Sequence, residues 1–144
     1  MSVSPFRYLT DRLLFPVHCA VCGRTSESAV CPECEKYLDP VEEPCCSICS
    51  GSVPPGEKVC PACMEAPPAF RRCVSAVAYN DVSARIVKRA KYGGAYVYLE
   101  YMAEGIAQVF PRNAGLVTCV PMHPRERLLR TYDHNRLLGG LTAR

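Results

Sequence analysis

Four Cys-x-x-Cys pairs constrain this chain more than any other feature of it: Cys19/Cys22, Cys31/Cys34, Cys46/Cys49 and Cys60/Cys63. Eight residues separate the first pair from the second and ten separate the third from the fourth, so one unit of knuckle, loop and knuckle occurs twice. Each knuckle presents two sulfurs about one metal diameter apart, and two knuckles complete a tetrahedral four-thiolate site with Zn–S distances of about 2.3 Å. Gly23 after the first knuckle and Gly51 after the third supply positions where positive φ is free of steric cost, and Pro32 and Pro61 stiffen the second and fourth turns. Short loops favour sequential pairing, the first four cysteines in one site and the last four in the other. A crossed arrangement and a rubredoxin-like iron site are the alternatives. Cys45 adjoins Cys46 and competes for the second site, although Cys46 has the matching spacing, and His18 reads as a bystander.

Residues 16–68 hold too few apolar side chains to fold on a core alone. Metal must replace the core, and each structural zinc contributes about 10–16 kcal/mol that appears as folding free energy. With four thiolates bound, no coordination position is open, so the expected role of two zinc ions is structural. A thioredoxin-like redox pair would be one motif within a βαβ unit, not four in proline-rich loop. The apolar residues of the N-terminus are interrupted by Arg7, Asp11 and Arg12, with no small-residue cleavage site after them, which argues against a secretory signal. No stretch approaches the roughly 18 apolar residues of a membrane span. The expectation is a cytoplasmic protein whose cysteines hold metal rather than disulfides.

Composition divides the chain at residue 70. Residues 1–70 hold five Lys/Arg against nine Asp/Glu, a balance of −4, together with nine of the 11 cysteines and 10 of the 13 prolines. Residues 71–144 hold 12 Lys/Arg against five Asp/Glu, a balance of +7. A Zn²⁺ on four thiolates carries −2, so two such sites move the formal net charge from +3 to −1, with the whole change in the first half. Any anion-binding surface belongs after residue 70.

In that second half, residues 66–72 read as a linker and Cys73–Tyr79 as a strand. Asn80 or Asp81 caps a helix running to about Tyr92, with Val82, Ile86 and Ala90 on one face, and Gly93-Gly94 end it. A second helix spans about Ala95–Phe110, Leu116–Val120 is a short buried strand, and a third helix begins near Asp133. Cys73 and Cys119, in apolar strands, read as core residues. The alternation predicts an α/β domain with a parallel sheet. After the second strand comes Pro121-Met122-His123-Pro124, then Arg125, Arg127 and Arg130. In open α/β sheets ligands bind beyond the carboxyl ends of strands, where three arginines hold a phosphate or pyrophosphate or else form a solvated basic turn.

Together these stretches resemble the competence protein F (ComF) family of bacterial phosphoribosyltransferase-like proteins. The resemblance runs through Leu13-Leu14-Phe15-Pro16, the double ribbon, the Pro-Pro-Ala-Phe linker, Lys91-Tyr92-Gly93-Gly94, Val120-Pro121-Met122-His123-Pro124 and Arg130-Thr131-Tyr132-Asp133-His134. It implies an N-terminal helix over 1–15, a metal-stapled double zinc ribbon over 16–65, a linker over 66–72 and, over 73–144, the N-terminal part of a type I phosphoribosyltransferase-like α/β domain. By resemblance, His123, Arg125, Arg127 and Arg130 contact pyrophosphate, phosphoribosyl pyrophosphate binds with Mg²⁺, and the partners are a competence-machinery protein or single-stranded DNA in DNA uptake. The family reads Gly, Asn and Gln where this chain has Thr131, Asp133 and His134. Its two adjacent acids and Thr-Thr-Gly loop are absent, the one adjacent acidic pair here being Glu42-Glu43. The expectation is therefore a C-terminally truncated member, an incomplete α/β domain with no catalytic residues. The alternative is a zinc-ribbon adaptor for nucleic acid or protein, without enzymatic activity.

Overall fold

The computed structural model describes residues 16–93, 96–111, 113–130 and 132–143. The helix expected over 1–15 lies outside them.

The two ribbons share the bonds that form their knuckles. In the first, the Cys19 N–H donates to the Arg24 carbonyl at 2.8 Å and the Gly23 N–H to the Cys19 carbonyl at 2.9 Å. In the second, the Cys46 N–H donates to the Gly51 carbonyl at 2.8 Å and the Ser50 N–H to the Cys46 carbonyl at 2.9 Å. The residue before each first cysteine pairs across the knuckle with the residue three beyond its second: His18 with Thr25, and Cys45 with Ser52, both antiparallel. These pairings explain why His18 and Cys45 stand where they do. Each closing knuckle opens a short helix, α1 (Pro32–Glu35) and α2 (Pro61–Glu65), with proline at the first helical position, where its missing N–H costs nothing.

The second half is helical. α3 (Asp81–Tyr92) is closed at its start by a capping box: the Asn80 side chain accepts from the Val82 and Ser83 N–H groups, while Ser83 Oγ accepts from the Asn80 N–H at 2.8 Å. α4 (Tyr96–Val109) packs chiefly against α6 (His134–Thr142) and less extensively against α3. Between them α5 (Pro124–Arg130) opens with proline, and the Arg125 N–H donates to His123 Nδ1 at 3.3 Å. Asp133 caps α6, accepting from the Arg136 N–H at 3.1 Å.

No β-strand forms among the described residues, so the parallel sheet expected for the second half is not built there. Residues 73–79 instead lie beside the ribbons. The Ala78 N–H donates to the Asp39 carbonyl at 2.8 Å, the Val41 N–H to the Ala76 carbonyl at 3.2 Å, and Val77 bridges Pro40. Residues 116–120, expected as a buried strand, are exposed, and Leu116 keeps 86% of its surface. Cys73 and Cys119 are likewise exposed rather than core. A β-strand exists only through a neighbour that accepts its ladder of hydrogen bonds, and apolar alternation in one segment cannot supply that neighbour.

The main core joins the first ribbon to the helices: Cys19, Ala20, Ala29, Val30 and Cys34 pack with Ile86, Ala90, Tyr98 and Leu99. The second ribbon has a small cluster of its own, Cys46, Cys60 and Cys63, edged by Ile48, Cys49, Val53 and Val59.

Candidate metal centres

Zinc at about 2.3 Å from four tetrahedral sulfurs requires S···S edges of about 3.8 Å. Sγ of Cys22 and Cys31 are 3.8 Å apart, and those of Cys49 and Cys60 are 3.6 Å apart. In each group all four sulfurs lie within 4.8 Å of one another: Cys19, Cys22, Cys31 and Cys34 in one, Cys46, Cys49, Cys60 and Cys63 in the other. The pairing is therefore sequential, and Cys45 stands outside the set. The donor chemistry and spacing fit two structural zinc ions.

Backbone amides hold the buried sulfurs in place. The Cys31 N–H donates to Cys19 Sγ at 3.4 Å, and the Cys60 N–H to Cys46 Sγ at 3.3 Å, the same bond in both ribbons. Such N–H···S contacts orient a ligand and stabilise its thiolate. At Gly51 the reason for glycine is proximity rather than φ: a Cβ there would meet Cys49 Sγ at 3.3 Å. The positive φ that follows the third knuckle falls instead on Ser50, at 60°, in the place of Gly23 at 74°.

The metal-free thiols differ strongly in acidity. A side-chain hydrogen bond from Arg24 brings Cys22 down to about 6, and the Cys60 backbone N–H brings Cys46 down to about 6. Burial, reinforced by neighbouring thiols, pushes Cys34 and Cys63 up to about 12. Each site thus pairs a ready thiolate with a thiol that yields its proton to the incoming metal. Arg24 is a functional side chain that the cysteine pattern did not single out; the signal was a cation two residues past a knuckle, a place occupied by Gly51 in the second ribbon.

The other expected site residues do not converge in this way. His123, Arg125 and Arg127 are exposed at the start of α5, and His123 Nδ1 is occupied by the Arg125 N–H. Arg130 belongs to the backbone of α5, and its side chain lies outside what the structure describes.

Among the described residues no helix is long and apolar enough to cross a membrane. Comparison with curated proteins and with solved structures finds no match to the chain. Residues 11–65 match the family model described as the double zinc ribbon domain, and with both four-cysteine sites assembled, this part of the chain is a double zinc ribbon.

Proposed function

We propose that this chain is a zinc-stapled adaptor, in which the double ribbon is a non-catalytic scaffold and the basic helical half binds a polyanion, single-stranded nucleic acid foremost. The observation that carries the reading is the shared core. Ala20, Ala29 and Val30 of the first ribbon pack against Ile86, Ala90 and Leu99, so the ribbon holds α3 and its cations in a fixed place. Closed four-thiolate sites perform no Lewis-acid step, because every coordination position is filled by sulfur. Positive charge concentrated after residue 70 favours phosphate backbones through counterion release. From the resemblance to the ComF family this reading keeps the association with DNA uptake.

A second reading, a phosphoribosyltransferase-like domain taking phosphoribosyl pyrophosphate and Mg²⁺, is favoured by one observation: Pro121–His123 lead directly into α5, which displays Arg125 and Arg127. Fluorescence anisotropy of a labelled single-stranded oligonucleotide with the zinc-loaded chain, alongside a pyrophosphate-release assay with phosphoribosyl pyrophosphate and Mg²⁺, separates the two. The adaptor reading expects salt-sensitive binding and no turnover. Turnover without oligonucleotide binding overturns it in favour of the second.

A further inference from the structure

The first ribbon and α3 border an open surface cavity of ≈ 450 Å³, and its walls are chemically one-sided. The ribbon contributes Ala20 and Val21, the two residues inside the Cys19–Cys22 knuckle; the helix contributes Arg85, Lys88, Arg89 and Tyr92. These four recur at i, i+3, i+4 and i+7, so they form one face of α3, turned from the Ile86 and Ala90 face that enters the core. Among the described residues no carboxylate lines the cavity.

Two ordinary explanations for such cations fall short here. Basic residues in a last helical turn complement the helix dipole, but the cavity also takes Arg85 and Lys88 from before that turn. Zinc-bound thiolates also attract cations, yet among the described residues no hydrogen bond joins Arg85, Lys88 or Arg89 to a cysteine sulfur. Arg85 is held by neutral backbone, its Nη1 donating to the Val21 carbonyl at 3.2 Å. Lys88 and Arg89 make no ion pair among the described residues. A cavity walled by three cations beside an exposed tyrosine has the composition of a nucleotide subsite, with charge for the phosphate and a π-face for a base.

We propose that this cavity is a phosphate-binding site, with Lys88 and Arg89 taking the phosphate oxygens and Tyr92 offering its ring to an attached base. The proposal rests on the polyanion reading above and gives it an address. The phosphate can be carried by a single-stranded backbone or by a free phosphate compound, and two probes distinguish these sources.

Zinc-loaded full chain is titrated with a labelled oligothymidine by anisotropy and with inorganic pyrophosphate by calorimetry. Four forms are compared: the parent, the pair Lys88→Ala with Arg89→Ala, the single Tyr92→Ala, and the control pair Arg71→Ala with Arg72→Ala, two exposed cations outside the site. Zinc content and far-ultraviolet dichroism, which exposed substitutions leave unchanged, confirm folding. The Lys88/Arg89 pair is expected to weaken both probes by about tenfold or more, as lost charge-assisted contacts do. The log–log salt slope for oligothymidine is expected to fall by about 1.4, or about 0.7 per lost phosphate contact. The control pair should move affinities less than about twofold, and Tyr92→Ala should weaken oligothymidine alone. Undiminished binding of both probes by the Lys88/Arg89 pair overturns the site while the polyanion reading stands. Pyrophosphate bound through Lys88 and Arg89, with oligothymidine not bound at all, keeps the phosphate site and overturns the polyanion reading instead.

Discussion

The two ribbons share their knuckle backbone bonds and have nearly the same sulfur spacing, yet one is built into the helical half and the other hangs beside it. The difference lies in a few side chains behind the metal. In the first ribbon the Ala20 N–H donates to the Ala29 carbonyl; in the second the equivalent bond joins Ser47 to Lys58. Ala20, Ala29 and Val30 are buried under α3 and α4, Val30 to 1% of its surface, whereas Ser47 and Lys58 are exposed. Two alanines allow a helix to approach the ribbon; a serine and a lysine, which keep their polar atoms in water, do not. The second ribbon is tied to the rest by polar bonds instead, the Cys73 N–H to the Ile48 carbonyl at 2.7 Å and Ser50 Oγ to the Cys73 carbonyl at 3.0 Å. Repeated cysteines thus reproduce a local fold, and what that fold holds on to is decided between them.

The sharpest way to break this comparison is to remove one ligand from each site. Cys34→Ser and Cys63→Ser should each cost one zinc per chain by metal analysis, but only Cys34→Ser should also collapse the helical signal in far-ultraviolet dichroism. Its ribbon is part of the helices' core, and each zinc contributes about 10–16 kcal/mol. Equal helix loss in both variants would mean that the ribbons are energetically equivalent after all. Next in size, Ala29→Lys places an unpaired charge under α3 and α4 and should destabilise the chain by about 3 kcal/mol or more, while Lys58→Ala in the second ribbon should stay within about 0.5 kcal/mol by urea unfolding.

Acid separates the ribbons by mechanism. Zinc displaces protons from Cys34 and Cys63, pushed up to about 12, so zinc retention falls as pH is lowered. Below about 6, Cys22 and Cys46 also bind protons, and the fall steepens. Arg24→Ala should move the acid loss of the first zinc to higher pH and leave the second where it is, because Cys46 relies on a backbone N–H. Chelator competition across mildly acidic to neutral pH reads this directly; both zincs shifting together would contradict the assignment. The smallest expected difference concerns the polar ties. Tyr98→Phe removes the bond from its hydroxyl to the His18 carbonyl at 2.8 Å, for about 1 kcal/mol in thermal unfolding. Ser50→Ala, at the more solvated tie, should cost a few tenths of that.

The ligand sets and the starts of α3 and α6 were legible in the sequence because they depend on neighbours within about 15 residues, whereas α5 stands where the sequence reads as a basic turn. Cysteine spacing, the Asn80 cap before Asp81–Tyr92 and Asp133 before α6 are such features, and each is where the spacing and capping residues put it. The strands expected at Cys73–Tyr79 and Leu116–Val120 do not form, because apolar alternation is only half of a β-structure. The cationic face of α3 was visible as a basic run, but its meaning depended on Val21, 64 residues away, forming the opposite wall.

By itself, then, the amino-acid sequence determined which thiols meet, where α3 and α6 begin and which half is positive, because bond spacing, capping and charge act over short stretches of chain. Tertiary structure alone decided that the first ribbon docks and the second does not, and that Lys88, Arg89 and Tyr92 stand beside a knuckle. Those outcomes turn on Ala20 and Ala29 being small enough for helices to approach, a matter of complementary shape between segments far apart in the chain.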